Sequence, residues 1–343
     1  MSLKRGLMWF VGLTIFVGVL VIYYTSDSET WRLLMQAKYS GIALALILAV
    51  LGWVFDALRI QVIAEIMKEH VPFKTALLLV FLNAFGSAIT PFQGGGGPIL
   101  IYVLRNNGVP IGKGLALALT RTVVTVVLLG VFVPLSLIFV PDVFKESVAM
   151  MGVFLYATIF ALLFGLLVIV SIVKSDFIKH LVKVVTLRMD RIDALNLRVF
   201  SIVRFFNKQI DLYAQNMKLL FTGGIFRFIL LIFLTLGYLF SAIFVLPVLA
   251  WALGISISLK KAILIQGLFF FVLYFVPTPG ASGIAEGGGA AIYKVLVPLN
   301  IAGVLSIGWR FFTHYLSIFI GTIVAFETIG LEIISAILER KKE

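Results

Sequence analysis

Long apolar runs bounded by charged residues constrain this chain more than any other feature. A helix needs about 20 predominantly apolar residues to cross a bilayer core of roughly 30 Å, and runs of that length recur along the sequence. Of the 343 residues, 61% are apolar and 13% are charged, whereas soluble domains average roughly 45–50% and about 25%. The sequence therefore predicts an all-α polytopic membrane protein that forms one transmembrane domain, residues 1–343.

Six of the runs are long enough to be full transmembrane helices. The first follows Lys4 and Arg5 as a signal sequence would, but no small-residue cleavage site follows it, so it is interpreted as a crossing. Near the end of the second run, Asp56 and Arg59 lie one turn apart, where they can pair or snorkel. The six predicted crossings are approximately Leu7–Tyr24, Gly41–Ile63, Gly114–Val140, Met150–Val173, Thr222–Trp251 and Asn300–Phe326.

Two further apolar stretches, Lys74–Arg105 and Lys261–Lys294, are interrupted by the glycine- and proline-rich segments TPFQGGGGP and PTPGASGIAEGGG. The arms of about 8–17 residues are short for a crossing, and a broken backbone needs hydrogen-bond partners that lipid does not offer. We therefore predict two re-entrant broken-helix hairpins, with glycines that supply φ freedom and close backbone approach. The predicted turn residues are Pro91, Gly94, Gly95, Gly96, Gly97, Pro98, Pro277, Pro279, Gly280, Gly283 and Gly287.

The distribution of basic residues orients the chain. Between Lys174 and Lys218 there are nine Lys or Arg and four Asp, which by the positive-inside rule predicts a cytoplasmic segment. Residues 174–220 also carry apolar residues at helical spacing, so they are predicted to form a basic amphipathic segment along the membrane surface. This segment either only sets the topology or gathers anionic lipid. Six crossings place both termini in the cytoplasm, and the predicted location is the cell (cytoplasmic) membrane.

The two interrupted stretches have the same layout. Lys74 precedes Pro91 by 17 residues and Lys261 precedes Pro279 by 18, and an arginine follows each proline after 30 or 31 residues. This layout predicts a first repeat at residues 74–140 and a second at residues 261–326. Because three crossings separate the hairpins, the second is predicted to enter from the opposite face, as in the inverted repeats of secondary transporters.

Composition excludes several function classes. The chain has no cysteine and three scattered histidines, so disulfides, thiol chemistry, a metal site and a cofactor are not expected. The net charge of +12 could suggest nucleic acid, but the basic residues lie between apolar runs, and no nucleic-acid partner is predicted. An intramembrane enzyme would need a base and nucleophile or a metal set. No HExxH or acidic cluster occurs in the spans, so no catalytic residue and no enzymatic activity are predicted.

The segments TPFQGGGGPILIYVLRNNGV and PTPGASGIAEGGG, each with a downstream arginine, resemble the lysylphosphatidylglycerol synthase transmembrane-region family, or flippase-like integral membrane proteins. The resemblance covers roughly Ser40 to Phe326. In two-domain members of that family, the membrane part moves an aminoacylated phospholipid between leaflets after a cytosolic domain makes it. We expect this chain to be a stand-alone membrane domain without the aminoacyltransferase domain, so the resemblance implies lipid translocation without synthesis.

The arginines after the two hairpins are the first candidate substrate-binding residues. Arg121 lies roughly 10 Å along its helix and Arg310 about 15 Å, and a charge near mid-bilayer costs at least about 2.5–3.5 kcal/mol unless it has a partner or water. A guanidinium suits a lipid phosphate because its fork donates two parallel hydrogen bonds. The alternative is a structural pair with Glu286 or with backbone carbonyls of the hairpins.

Four other polar residues complete the candidate substrate-binding set. Glu286 can accept backbone N–H groups, neutralise Arg310, contact a cationic headgroup or take a proton. His314, one turn beyond Arg310, either titrates or packs as a hydrogen-bonding side chain. Gln93 and Asn83 either satisfy freed backbone groups or bind headgroup oxygens.

The leading hypothesis is a lipid translocase that moves an anionic or aminoacylated phospholipid through a central cavity with buried arginines. Its partners would be membrane phospholipid or a lipid-linked sugar, and homo-oligomerisation is left open. The alternatives are a carrier of polyprenyl-phosphate-linked sugar and a non-transporting membrane scaffold subunit.

Overall fold

The computed structural model describes residues 3–141, 148–173, 196–222 and 224–327, and every regular element in these ranges is a helix. The α-helices are α1 (Leu3–Thr25), α2 (Ser28–Met35), α3 (Tyr39–Ile66), α4 (Phe73–Ala88), α5 (Gly96–Asn106), α6 (Ile111–Gly130), α7 (Phe132–Phe139), α8 (Val148–Val173), α9 (Asn196–Thr222), α10 (Ile225–Ala252), α11 (Leu259–Leu273), α12 (Gly289–Tyr293) and α13 (Leu299–Arg310, continuing through a π-helical turn at Phe311–Tyr315 to Glu327).

Four helical stretches in the described ranges are long and apolar enough to cross a membrane. They are Tyr39–Ile66, Ile111–Ser136, Ile225–Ala252 and Leu299–Glu327. A fifth candidate is the bent pair Val11–Thr25 and Ser28–Met35. Helix α8 also coincides with a predicted crossing. The multi-pass helical architecture is thus confirmed, while the count of six crossings stays a prediction.

The chain turns by 109° between α1 and α2. Asp27 caps α2 by accepting a hydrogen bond from the backbone N–H of Thr30 at 2.8 Å, and the side-chain amide of Asn300 donates to its other oxygen at 2.9 Å. The backbone and hydroxyl hydrogen bonds from Thr30 lower the pKa of Asp27. These contacts attach the bend to the beginning of α13.

Helices α3 and α10 form the central pair of the fold. Glycines let them approach closely: a Cβ at Gly52 would lie 2.8 Å from the hydroxyl oxygen of Ser241, and one at Gly237 would lie 2.9 Å from the ring of Phe55. Small residues at helix contacts are typical of membrane proteins, where van der Waals packing drives helix association. Helices α4, α6, α11 and α13 pack directly against this pair.

The two predicted breaks are present, at residues 89–95 between α4 and α5 (the first break) and at residues 274–288 between α11 and α12 (the second break). Their limits differ from the prediction. Gly96, Gly97 and Pro98 lie in the first turn of α5, where proline is tolerated because its nitrogen has no helical partner there. Gly287 lies in a π-helical segment, Ile284–Gly288, within the second break.

Both breaks contain the same backbone conformation. In the first, Pro91 precedes Phe92 (φ 54°) and Gln93 (φ 53°), and in the second a proline precedes Gly280 (φ 58°) and Ala281 (φ 57°). Two successive left-handed residues reverse the chain sharply, and three of these four carry a Cβ, which disfavours that conformation. The turn is therefore imposed by the surrounding packing.

The glycine run of the first break serves close packing rather than φ freedom. None of residues 94–97 has a positive φ, so the predicted need for φ freedom is wrong there. A Cβ on Gly95 would overlap the carbonyl of Gly86 and the side chain of Thr90, and a Cβ on Gly96 would overlap Asn83. The backbone of the break thus lies directly against α4.

Helix α9 packs against α6 through its second half. Tyr213 and Met217 are buried, and the side-chain carbonyl of Gln209 accepts a hydrogen bond from the backbone N–H of Gly112 at 2.7 Å. Part of the basic segment predicted at residues 174–220 is therefore packed against another helix, and its position along the membrane surface stays a prediction. Residues 174–195 of that segment lie outside the described ranges.

Candidate functional site

A cavity of about 490 Å³ lies between the central pair and the two breaks. Its wall includes residues from α3, α4, α6, α10 and α13, together with Gln93 and Gly94 of the first break and Gly280 of the second. Aromatic rings such as Phe92, Phe160 and Phe275 line it together with polar side chains. The breaks predicted from the sequence thus meet at one site.

Three ionisable residues form a charge cluster in the cavity wall: Asp56, Arg59 and Arg121. The carboxylate of Asp56 accepts hydrogen bonds from Nε of Arg121 at 2.8 Å and, through its other oxygen, from Nη2 of Arg121. Nη1 of Arg59 donates to the same carboxylate at 3.2 Å. Two guanidinium groups therefore share one carboxylate, and the cluster carries one net positive charge.

Arg59 is held firmly on its other side. Its Nη2 donates to the backbone carbonyl of Arg121 at 2.9 Å and to the hydroxyl of Thr125 at 2.6 Å, and its guanidinium lies 4.9 Å from the ring centroid of Tyr238. Its side chain is only 1% exposed, whereas that of Arg121 is 14% exposed. Arg121 is therefore the cation of the cluster that is more open to the cavity.

Arg310 and Glu286 form a second, fully buried pair behind the cavity wall. Nε of Arg310 lies 3.6 Å from a carboxylate oxygen of Glu286, and its Nη2 donates to the carbonyl of Gly280. Glu286 also accepts hydrogen bonds from the backbone N–H of Gly283 at 2.6 Å and from the hydroxyl of Tyr315 at 2.5 Å. These contacts correspond to the structural alternative for Arg310, and its contact with a lipid phosphate stays a prediction.

The other predicted site residues line the cavity. The side-chain amide of Gln93 donates to the carbonyl of Leu273 at 2.9 Å, so it satisfies a backbone group at the end of α11. Nδ1 of His314 lies 3.0 Å from the hydroxyl of Thr313, and Asn83 faces the same space from α4. The fold thus brings Arg121, Gln93, Asn83 and His314 to one cavity and places Arg310 and Glu286 behind it.

Four residues that line the cavity were not predicted from the sequence as site residues: Asp56, Arg59, Tyr238 and Tyr274. The spacing of Asp56 and Arg59 within an apolar run was the available signal, because an ionisable residue in a membrane span is a functional candidate by default. Their common partner, Arg121, lies 62 residues beyond Arg59, so only the folded structure connects the three. The tyrosines gave no comparable signal, since tyrosine is common in membrane helices and at interfaces.

Comparison with known proteins agrees with this architecture. Residues 9–321 match the family described as the lysylphosphatidylglycerol synthase TM region. The chain is also 27% identical over 327 residues to a protein of Archaeoglobus fulgidus described as a UPF0104 membrane protein, and the match covers 90% of this chain and 93% of that protein. The family match includes both breaks and the charge cluster. The chain belongs to the lysylphosphatidylglycerol synthase transmembrane-region family.

Proposed function

We propose that the protein is a lipid translocase, which moves a phosphate-bearing lipid headgroup between leaflets through the cavity between the two breaks. The observation that carries the proposal is the partly exposed guanidinium of Arg121 in the wall of a cavity lined by membrane-spanning helices. Membership of the family supports a role in lipid handling.

The physical problem in such transport is the charge of the headgroup. An isolated ion is very unfavourable in hydrocarbon unless fixed charges or dipoles replace its water. The charge cluster offers a net positive charge, and residues such as Asn83, Thr122 and Ser317 add polar groups around it. The headgroup would pass through this polar space while its tails stay in lipid.

We further infer that α4–α6 and α11–α13 form an inverted repeat within six crossings. Each unit consists of an apolar helix, a break with two left-handed residues after proline, a second helix and a predicted crossing that carries an arginine. Two similar units of opposite orientation would let the cavity open to each face in turn, as in secondary transporters.

Transport is favoured over catalysis by the state of the two carboxylates at the site. Asp56 is committed to two guanidinium groups, and Glu286 accepts hydrogen bonds from a backbone N–H and a tyrosine hydroxyl. A general base needs an oxygen within hydrogen-bond reach of the substrate proton. Neither carboxylate is placed to serve as one in this conformation.

The test is lipid movement in proteoliposomes that contain fluorescent phosphatidylglycerol. We expect Arg121→Ala to slow movement by about tenfold or more, because it removes a charge-assisted hydrogen-bonding group and leaves the cluster without net charge. Asp56 keeps Arg59 as its partner, so the variant is expected to fold, which the thermal midpoint in detergent checks.

The matched control is Arg105→Ala, at the exposed end of α5, which should leave the rate unchanged. Equal rates for wild type and Arg121→Ala would refute the proposal. Vesicles that contain a polyprenyl-phosphate-linked sugar instead of phosphatidylglycerol separate the two substrate classes, since both have a phosphate but only one is a phospholipid.

A further inference from the structure

We propose that the carboxylate of Asp56 competes with the phosphate of the substrate for Arg121. The carboxylate occupies the position on Arg121 where an anion would bind, and it must be displaced when a headgroup binds. This inference rests on the proposed function, and it assigns to Asp56 the control of binding and release. A merely structural role would require only that Asp56 neutralise its neighbours.

The contact between Asp56 and Arg121 is bidentate. Arg121 donates to the two oxygens of Asp56 from Nε and from Nη2. These are two donors of the planar fork with which arginine binds carboxylate or phosphate in bidentate fashion. A lipid phosphate that used the same fork would compete with Asp56 for it.

Asp56 has a second charged partner, Arg59. Nη1 of Arg59 donates to it at 3.2 Å, and Arg59 is fixed independently by the carbonyl of Arg121 and the hydroxyl of Thr125. When a phosphate binds to Arg121, Asp56 still has Arg59 as a charged partner. Displacement therefore leaves no unpaired charge in the wall, and the unpaired state is what makes breaking a buried ion pair unfavourable.

Release of the headgroup also needs a group that competes for Arg121. Two guanidinium groups without a carboxylate would hold a phosphate strongly, because charge interactions strengthen in a medium of low dielectric constant. A carrier must also release its substrate into the opposite leaflet of the membrane. When the carboxylate of Asp56 returns to Arg121, it lowers the affinity of the protein for the headgroup. It also neutralises the charge of Arg121 when no lipid is bound.

The experiment measures binding of dihexanoyl-phosphatidylglycerol to the purified protein in detergent by calorimetry, and movement of fluorescent phosphatidylglycerol in proteoliposomes. We expect Asp56→Asn to bind the short-chain lipid about tenfold or more tightly, since it removes the competing anion from Arg121, and to move the fluorescent lipid more slowly because release is impaired. The matched control is Asp27→Asn, at the α1–α2 bend, which should change neither quantity.

A second variant guards against failure of Asp56→Asn to fold. Asp56→Asn/Arg59→Gln removes one negative and one positive charge, keeps the net charge of the cluster and frees Arg121; it should also bind more tightly than wild type. Unchanged or weaker binding in a folded variant would overturn the proposal, and so would failure of both variants to fold, which would assign Asp56 to stability.

Two further comparisons show which hypothesis a negative result contradicts. Glycerol 3-phosphate tests for a soluble ligand, and an affinity equal to that of the lipid would overturn the assignment to a lipid phosphate. If wild type neither binds nor moves phosphatidylglycerol or the lipid-linked sugar, the proposed function itself fails. If wild type does both and Asp56→Asn binds no more tightly, only the competitor role fails.

Discussion

Arg121 and Arg310 follow the prolines of the two breaks at nearly equal distances, 30 and 31 residues, yet they have different environments. Arg121 pairs with Asp56 in the cavity wall, and Arg310 pairs with Glu286 behind it. Of the two arginines predicted to be buried, Arg310 is fully buried, whereas the side chain of Arg121 is 14% exposed. The sequence could not predict which one faces the cavity, because their partners come from other helices and from the second break.

The role of Arg310 can be tested through stability. Arg310→Ala removes one partner of a fully buried ion pair and the donor to Gly280. Breaking such a pair typically costs about 3–5 kcal/mol because a buried charge is left uncompensated. We expect a large drop in the midpoint of thermal unfolding in detergent, which circular dichroism measures.

Arg227→Ala serves as the control for this measurement. Arg227 is exposed in the first turn of α10, and exposed substitutions usually change stability by no more than about 0.5 kcal/mol. If Arg310→Ala kept its thermal midpoint but abolished lipid movement, the structural role would be wrong and the contact with substrate predicted from the sequence would be favoured.

At the scale of elements, the sequence predicted both interruptions because glycine and proline were concentrated in apolar stretches too short to cross twice. It did not predict the role of each glycine. Gly95 and Gly96 are needed because α4 lies directly against them, while Gly97 has open space around its Cβ position. Such differences depend on tertiary contacts, which a run of four identical residues does not reveal.

Neighbouring glycines of that run should therefore respond differently to substitution. Gly96→Ala would push a methyl group into the side chains of Asn83 and Ser87 and into a backbone carbonyl, and overpacking of this kind costs about 1–3 kcal/mol. Gly97→Ala meets nothing within 4 Å and should leave stability unchanged or raise it by up to about 1 kcal/mol, since alanine favours helix.

Thermal unfolding of the two variants in the same detergent compares them directly. A similar loss in both would mean that the first break requires glycine for a reason other than contact with α4. A loss in Gly97→Ala alone would contradict the close approach described for Gly96.

At the scale of the whole molecule, apolarity and run length were sufficient to predict a multi-pass helical protein, and the helices coincide with the predicted runs. The bend between α1 and α2 was not predicted, because its cause is local capping by Asp27 together with a contact to Asn300. The partial burial of α9 also escaped prediction, since its apolar positions suit a membrane surface and a helix contact equally well.

The inverted repeat proposed above predicts that the ends of the two hairpins face opposite sides of the membrane. The chain has no cysteine, so single substitutions at exposed positions can be labelled selectively. Asn107→Cys, after α5, should react with an impermeant maleimide from the cytoplasmic side only, and Ser256→Cys, before α11, from the other side only. Inside-out and right-side-out vesicles provide the comparison, and labelling of both positions from one side would contradict the inverted repeat.

The hydrogen bond from the side-chain amide of Gln93 to the carbonyl of Leu273 joins the first break to the last residue of α11. Since the acceptor is a main-chain group, no replacement of Leu273 can remove it, and the donor is a single side chain. Any motion that separates α11 from the first break must therefore break this hydrogen bond, and substitution of Gln93 is the only single side-chain change that removes it.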